Sequence, residues 1–596
     1  MIVVEGHNII SPLGMTTREN LTAVRRGQSS LQTYPHHWGL PEDITASLFS
    51  DEQWKAIDED GDAPEAAMTA ANGDTSTAAK ATPFEQVVVA SARRALKGCS
   101  FAVGGNDVVL IISTTKANVG LLRTATTVDD RLMPGVAARR VAVALGVTTT
   151  PIVVDNACIS GLAALILVER LLKQGSYRHA IVCGADVQNR FIVSGFQSFK
   201  ALSPQPCRPF DLERLGLNLG EAAATMVLSV ACLTDGQPHW TLEHGAVRND
   251  AYHISAPSRQ GEGAYRAIMR VMGDQGKTVF QNLAVISAHG TATMFNDQME
   301  SKAIERAATA LDGTDEKGFC RIPVNGYKGY YGHTMGAAGI LETILTMAAL
   351  DEDVIPATKG FAERGVSGKI RVNGEEKAAH GHAFLKMLSG FGGCNAALLA
   401  DKVTATAKAE APEGLTVHDN NKCELATVAS LHLTPADGPL TELYKENIGD
   451  YPKYYKMDLL SKLGFVASEL LLKQIGEERP AEEREDRAVI LFNRSGSIHA
   501  DRRYVATISD ADNYYPSPSL FVYTLPNIVT GEIAIRNHYH GETSFYILPG
   551  KDEALMDQIL RAAFLDGKTT SILTGWLDAE DEQHYEADLK IIKNEK

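Results

Sequence analysis

Cysteines in this sequence are few and scattered, and this scarcity excludes several classes of protein. Eight occur in 596 residues, with no CxxC pair and no histidines clustered at metal-ligand spacing. The pattern argues against a disulfide framework and against a zinc site. We therefore expect reduced thiols, no metal and a cytoplasmic location.

Long apolar runs are also missing. No stretch of about twenty apolar residues occurs, and the opening residues MIVVEGHNIISPLG have no basic segment ahead of an apolar one. We expect neither a membrane span nor a secretion signal.

Positive charge is scarce too. The net charge is -16 and no Lys/Arg-rich run occurs, which works against a nucleic-acid partner. An acidic carrier protein could still dock on a local basic patch, such as residues 91–98 (SARRALKG) or Arg139 and Arg140. Pairs of this kind are also common on ordinary solvated helix faces.

Two stretches without periodicity divide the chain. Residues 57–82 mix Asp, Gly, Ala and Thr and predict an exposed loop or a poorly ordered insertion, and residues 403–422 have a similar composition. The predicted units are residues 1–403, a linker over 404–425 and a second unit over 426–596. Short β-branched runs alternate with Ala/Leu-rich helical patterns, which indicates a layered α/β fold.

One cysteine stands at a predicted strand-to-helix turn. Cys158 follows the strand pattern IVVD and precedes the helix pattern ISGLAALILVERLL. Such a turn can aim a side chain into a cleft, and the positive end of the helix dipole favours a thiolate. On this segment alone a buried structural cysteine is the simpler interpretation.

Other segments overturn that simpler interpretation. His289 follows an apolar run, and Lys328 and His333 precede the helix start GAAGILETIL. A glycine turn, SGFGG, can bring backbone N–H groups against a ligand. A cysteine, two histidines, a lysine and a glycine turn, all at element ends, are difficult to explain by packing.

These residues belong to five ordered motifs that, together with the opening segment of the chain, resemble the β-ketoacyl-carrier-protein synthases. The resemblance covers residues 1–403 and implies a thiolase-like, layered αβαβα fold. It is carried by GHNIISPLG, ACISG, CRPFDLERLGLNLGEAAA, HGTAT with KGYYGHTMGAAG, and GFGGCN. The two-histidine pattern separates these decarboxylating synthases from thiolases and from the initiating synthases.

The resemblance implies a role for each motif residue. Cys158 would hold the acyl chain as a thioester, and the N–H groups of Cys158 and Phe391 would bind its oxygen. His289 and His333 would stabilise the enolate formed when the malonyl unit loses CO2. Lys328 would set the local charge.

The resemblance also implies supporting residues and partners. Lys328 would orient the carboxylates of Glu300 and Glu342, while Asp297, Gly390 and Gly392 would support the motifs. No cofactor is expected, because the substrates are carried on the phosphopantetheine of an acyl carrier protein.

The chain departs from the elongating synthases at the gate of the acyl pocket. Ser389 stands where they usually have Phe, and Leu217 and Asn218 stand where they have Phe-Val. These residues predict a roomier or differently gated entrance. The segment 135–137 (Gly-Val-Ala) suggests an uncrowded pocket floor or close helix packing.

The last third contains a weak internal repeat. Residues 530–579 align without a gap to residues 136–187 when Gly575 is matched to Gly184, and Cys158 then falls opposite Pro549. The C-terminal unit therefore resembles an incomplete thiolase-like half without a nucleophile. Truncated chain-length factors of aryl polyene systems have this layout, here fused to the catalytic partner.

The sequence thus predicts a β-ketoacyl synthase that elongates an acyl or polyene chain with malonyl-carrier protein. One alternative is a fatty-acid elongating synthase with a structural appendage, and another is a non-catalytic scaffold. Either a homodimer or an intramolecular pseudo-heterodimer is expected.

Overall fold

One mixed sheet of sixteen strands organises the molecule. The computed structural model describes residues 1–61, 80–124, 126, 129–231, 236–404, 424–477, 482–510 and 512–595. Within them the strands are β1 (Ile2–Ile10), β2 (Gln32–Tyr34), β3 (Ile44–Ser47), β4 (Val108–Ser113), β5 (Ile152–Val154), β6 (His179–Asp186), β7 (Leu219–Gly220), β8 (Ala222–Val230), β9 (Pro238–Asn249), β10 (Val285–Ser287), β11 (Pro323–Asn325), β12 (Val354–Ile355), β13 (Arg371–Val372), β14 (Lys377–Ala378), β15 (Phe384–Ser389), β16 (Cys394–Thr404), β17 (Glu424–Leu433), β18 (Arg487–Asn493), β19 (Thr543–Ile547), β20 (Ser571–Asp581) and β21 (His584–Glu595).

Helices cover this sheet. Those of the described residues are α1 (Thr17–Arg25), α2 (Asp51–Gly61), α3 (Pro83–Ala95), α4 (Pro134–Leu145), α5 (Ser160–Gln174), α6 (Arg190–Ser198), α7 (Glu262–Met272), α8 (Gly276–Gln281), α9 (Met294–Ala310), α10 (Lys328–Tyr331), α11 (Ala338–Asp351), α12 (Leu440–Asn447), α13 (Leu459–Gln474), α14 (Ile498–Val505), α15 (Pro518–Val522), α16 (Ile528–Asn537) and α17 (Glu553–Ala563).

The layers follow from the alternation of side chains along each strand. In β4, Val109 and Ile111 point into one buried cluster with α5 and α11, whereas Val108, Leu110 and Ile112 point into another with α3 and α13. Apolar side chains on both faces require helices on both faces. This is the layered α/β fold that the sequence predicts.

The sheet crosses from the first unit to the second without a break. Its order is β13-β11-β10-β15-β16-β9-β1-β8-β6-β4-β5-β19-β18-β20-β21-β17. The junction is an antiparallel pair of β5 and β19, in which Val154 lies opposite Tyr546 and Val153 opposite Ile547. The two units therefore share one sheet and pair within the chain.

Strand pairing confirms the internal repeat. Ser113 of β4 pairs with Val154 of β5 and Gly184 of β6. In the second unit Leu491 of β18 pairs with Phe545 of β19 and Gly575 of β20. Gly575 thus occupies the place of Gly184, as the sequence alignment requires. In the sheet, β17, β21, β20, β18 and β19 of the second unit take the places that β1, β8, β6, β4 and β5 take in the first.

Buried ion pairs cross the junction between the two units. They join Lys116 to Asp501 at 2.7 Å, Arg170 to Glu542 at 2.6 Å and Arg248 to Asp566 at 3.0 Å. The Lys116 ammonium also donates to Ser497 Oγ and to the carbonyl of Thr524. Because each charge is compensated across the junction, separating the units would expose these groups or leave them without their ion-pair partners.

The predicted loop over 57–82 and the predicted linker over 404–425 both include residues outside the described ranges. The loop predicted over 57–82 is wrong at its start, because α2 continues to Gly61; Ile57 is buried, and a side chain at Gly61 would meet the backbone of Gln86 at 2.5 Å. Residues 62–79 and the core of the predicted linker, 405–423, lie outside the described residues. No helix among the described residues is long and apolar enough to cross a membrane.

The buried pair at the junction gives a stability prediction. Asp501→Ala leaves the Lys116 ammonium uncompensated, and we expect it to lower the free energy of unfolding by about 3–5 kcal/mol. The double variant Lys116→Met with Asp501→Ala should recover much of this loss. Urea unfolding followed by fluorescence measures both.

The matched control is Asp557→Ala, since Asp557 forms half-exposed pairs with Arg561 at 3.5 Å and Lys590 at 3.7 Å. Its effect should stay within about 1 kcal/mol. Equal effects of Asp501→Ala and Asp557→Ala would contradict a buried electrostatic link between the units.

Candidate active site

The nucleophile candidate sits on a strained turn. Cys158 lies in a short 3-10 turn (Ala157–Ile159) between β5 and α5, and Ala157 before it has a left-handed φ of 48°. The half-buried thiol lines a cavity of about 430 Å³. A backbone held in this region at a cavity wall is typical of a functional turn.

Close helix packing brings the histidine motif to the cysteine. A Cβ at Gly161 of α5 would lie 2.8 Å from the carbonyl oxygen of Gly336, and one at Gly339 of α11 would lie 2.3 Å from the N of Leu162. The starts of the two helices therefore touch through their backbones, as the Gly/Ala-rich sequence predicts. Larger residues at either glycine would push His333 away from Cys158.

Cys158, His289 and His333 form one cluster. The cysteine sulfur and one nitrogen of each ring all lie within 4.8 Å of one another. The two imidazole rings are arranged edge to face, with their centroids 5.1 Å apart. The N–H of Met335 donates to Nδ1 of His333 at 3.2 Å, so the ring proton resides on Nε2. His333 can therefore donate a hydrogen bond to an oxygen in the cavity.

Burial sets the protonation of this cluster. It lowers the pKa of both histidines well below the usual value, and the positive charge of Lys328 adds to the effect. Burial also raises the pKa of Cys158 to about 12, with Lys328 opposing it. The thiolate expected from the helix start is therefore wrong for the resting protein, because loss of solvation outweighs the dipole.

The three side chains are also a donor set that could hold a metal ion. A metal bound there would occupy the same sulfur and ring nitrogens that face the cavity. The cluster could therefore bind either a metal ion or a substrate carbonyl. The residues that surround it help to decide between these two ligands.

A buried lysine pair lies behind the histidines. Lys328 donates to the carbonyl of His289 at 2.7 Å and to Glu342 at 2.7 Å. Lys386, on β15, donates to the other oxygen of Glu342 at 2.5 Å and to the carbonyl of Ala288 at 3.1 Å. The two ammonium groups share one carboxylate, so the region is positively charged beside the cavity.

Lys386 was missed by motif reasoning. It stands alone in the apolar strand FLKML, and a single lysine at such a position is the signal that could have identified it.

The carboxylates of Glu300 and Asp297 accept hydrogen bonds from backbone N–H groups and not from Lys328. Glu300 accepts the N–H groups of His289 at 2.5 Å and Gly290 at 2.9 Å. Asp297 accepts those of Phe210 at 2.6 Å and Ala292 at 3.1 Å. The expectation that Lys328 orients Glu300 is therefore wrong, although its contact with Glu342 is as predicted.

The glycine turn lies against the cysteine. A Cβ at Gly390 would lie 3.2 Å from the N of Cys158. The N–H of Gly390 donates to the carbonyl of Cys394 at 2.8 Å and that of Gly392, whose φ is 89°, donates to Ile254 at 2.6 Å. Phe391 stands between these two anchored glycines and lines the cavity.

The gate residues have different fates. Ser389 and Leu217 line the cavity, but Asn218 is buried elsewhere and binds the N–H of Cys207 at 2.7 Å and the carbonyl of Ser203 at 2.9 Å. Asn218 therefore braces a loop. Gly135 serves close packing, since a side chain there would lie 2.8 Å from the backbone of Leu548 in the second unit.

Comparisons with known proteins agree with this arrangement. The β-ketoacyl synthase N-terminal domain model matches residues 1–231, and the C-terminal domain model matches residues 240–362. The chain is 26% identical over 430 residues to a 3-oxoacyl-acyl-carrier-protein synthase 2 of Vibrio harveyi, covering 67% of this chain and 98% of that protein. It is 32% identical over 274 residues to the protein of the same name in Rhizobium meliloti, covering 42% and 60%.

Solved structures extend the likeness of fold to the second unit. The PfaC ketosynthase chain-length-factor structure matches with a TM-score of 0.75 at 14% identity, over 100% of this chain and 78% of that one. The ketosynthase ApeO, solved with its chain-length factor ApeC from Xenorhabdus doucetiae, matches with a TM-score of 0.54 at 22% identity, over 67% and 98%. From its motifs, its fold and the two family models, the chain belongs to the β-ketoacyl synthase family.

Proposed function

We propose that this protein elongates a carrier-bound acyl chain by decarboxylative condensation with a malonyl unit, through an acyl thioester on Cys158. The observation that carries the proposal is the convergence of Cys158, His289 and His333 within 4.8 Å at the wall of an open cavity. An acyltransferase of this kind needs a nucleophile and two oxygen-binding groups at this spacing.

The first step transfers the acyl chain to the cysteine. Sulfur of Cys158 adds to the thioester carbonyl, and the phosphopantetheine sulfur leaves with the thiol proton. The tetrahedral oxygen would lie against the N–H groups of Cys158 and Phe391. Donors fixed before the reaction stabilise a charge that exists only in the transition state.

The second step forms the new carbon bond. Loss of CO2 from the malonyl unit leaves an enolate, whose carbon attacks the acyl carbonyl and releases the Cys158 thiolate. Neutral His333 donates from Nε2 to the enolate oxygen, and His289 faces the same space. Burial keeps both rings neutral, and the charges of Lys328 and Lys386 add to this effect and favour the anion. This chemistry needs no metal or cofactor.

An acyl carrier protein is the proposed partner. Leu215, Met294 and Phe295 line the cavity and remain largely exposed, so the mouth presents an apolar rim. The ketosynthase AntDE has been solved in complex with its acyl carrier protein AntF. Of the basic residues that the sequence offered as a docking patch, Arg140 does not reach the surface, because it is buried in an ion pair with Glu85.

The second unit is proposed to act as a chain-length factor. Phe521 of α15 packs on Phe196 at 5.6 Å and Phe199 at 6.2 Å, both of which line the cavity. A side chain at Gly195 would overlap the Phe521 ring at 2.1 Å. The second unit therefore packs behind two residues that line the acyl cavity, which favours a polyketide or polyene product of set length.

A fatty-acid elongating synthase with a structural appendage is the second candidate. The residues lining the cavity belong to the first unit, and this observation favours it. Product length in Phe521 variants separates the two.

The roles of Cys158 and His333 are tested by substitution. Cys158→Ala should abolish acylation in intact-protein mass spectrometry, because the attacking sulfur is lost. His333→Ala should keep acylation but lower condensation by about 100-fold or more, because the enolate loses a donor. His432→Ala, an exposed histidine on β17, is the control. Normal product from Cys158→Ala would refute the mechanism.

The pH dependence of thiol reactivity tests the raised pKa. Below a pKa of about 12, the thiolate fraction of Cys158 rises about tenfold with each pH unit. Alkylation of Cys158 by iodoacetamide, followed by peptide mass spectrometry, should therefore accelerate steadily from pH 7 to pH 9. A plateau below pH 8 would indicate a preformed thiolate.

Chain length should respond to Phe521. Phe521→Leu removes ring volume behind the cavity, and we expect products longer by at least one two-carbon unit. Phe492→Leu, a buried ring paired with Tyr546 in the second unit, is the matched control. Unchanged products from Phe521→Leu would favour the structural appendage.

A further inference from the structure

The glycine turn that carries Phe391 is held in place at several points. Gly390 and Gly392 donate their N–H groups to Cys394 and Ile254. The carbonyl of Gly392 accepts from Nδ2 of Asn249 at 2.8 Å. These contacts all come from the first unit, which also reaches the carbonyl of Phe391 itself through Sγ of Cys394, donating at 3.2 Å.

The second unit supplies a shorter, amide hydrogen bond to the same carbonyl. Nδ2 of Asn527 donates to the carbonyl oxygen of Phe391 at 2.8 Å. Asn527 is 2% exposed and stands one residue before α16. The same Nδ2 lies 3.7 Å from the sulfur of Cys394, within the turn's own base. A residue 136 positions away along the chain thus fixes the backbone at Phe391.

Helix α16 also touches the turn directly. A Cβ at Gly531 would lie 2.5 Å from the carbonyl oxygen of Gly392, and one at Gly392 would lie 2.7 Å from Nδ2 of Asn527. Neither side has room for a side chain. The backbones of the turn and the helix therefore set each other's position.

The segment before Cys158 is tied to the same unit. The N–H of Phe545 donates to Oδ1 of Asn156 at 2.7 Å, and the N–H of Asp155 donates to the carbonyl of Phe545 at 3.2 Å. Asn156 is two residues from Cys158. Both backbone segments that would bind the acyl oxygen are thus hydrogen-bonded to the second unit.

We propose that the second unit is part of the acylation machinery, with Asn527 as a positioning residue for the Phe391 N–H. This inference rests on the proposed function and extends it, because a chain-length factor need only shape the product. Asn527 fixes the carbonyl of Phe391 and with it the turn on which the N–H is carried. An oxyanion donor stabilises the transition state only when it is held at the correct distance.

The test compares two buried asparagines near the two ends of one helix. Asn527→Ala and Asn527→Asp remove the donor, whereas Asn537→Ala removes an asparagine that binds Glu469 and the carbonyl of Ile533, away from the turn. Each full-length variant is assayed for kcat and KM of Cys158 acylation by an acyl-carrier protein. Iodoacetamide alkylation is measured beside it, since that reaction forms no oxyanion.

We expect both Asn527 variants to lower kcat of acylation by about 10- to 100-fold, with KM and the alkylation rate within about twofold of the unchanged protein. Asn537→Ala should acylate normally. Gly531→Ala, which pushes on Gly392, should slow acylation in the same selective way.

Two results would overturn the inference. One is normal acylation by Asn527→Ala, and the other is an equal loss of acylation and alkylation, which indicates general disruption of the site. Failure of the unchanged protein to acylate Cys158 would instead refute the proposed function, so the two failures are distinguishable.

Discussion

The antiparallel pairing of β5 with β19 is the interaction on which the rest of the structure depends. It places Val154 opposite Tyr546 immediately before the turn that carries Cys158. Because strand pairing fixes both distance and register, the pair also fixes where α16 meets the glycine turn. The second unit has Pro549 where the repeat places a nucleophile in the first, yet its strand β19 is paired with the strand that precedes Cys158. Fusion makes this pairing intramolecular and independent of protein concentration.

Burial of the site has two opposite effects on the proposed chemistry. It keeps His289 and His333 neutral, so that they can donate to an enolate oxygen, but it also raises the pKa of Cys158. Lys328 partly offsets this rise in pKa by placing positive charge near the sulfur, and Glu342 accepts from both Lys328 and Lys386 behind the histidines. The site therefore favours anions that form during the reaction over anions present beforehand.

Much of the site was predictable because its residues lie in ordered motifs. Cys158, His289, Lys328 and His333 meet as the motifs imply, and the repeat predicted that β19 and β20 correspond to β5 and β6. Features that arise from packing were not predictable. The thiol of Cys158 stands at a helix start, but its pKa depends on solvent loss across several elements. The contact of Asn527 with Phe391 has no sequence signature, since it joins two units through folded backbone.

The central claim is that one chain completes its own active site by pairing β5 with β19. It is tested by the variant Val153→Cys with Ile547→Cys, which places two cysteines at opposed positions of the junction. Nitrogen-15-labelled and unlabelled chains of the variant are produced separately, unfolded, refolded as an equal mixture, oxidised, and digested for mass spectrometry of the disulfide-linked peptides. The account predicts linked peptides of uniform isotope composition, labelled with labelled and unlabelled with unlabelled. Mixed pairs making up about half of the linked peptides would show pairing between chains and contradict it.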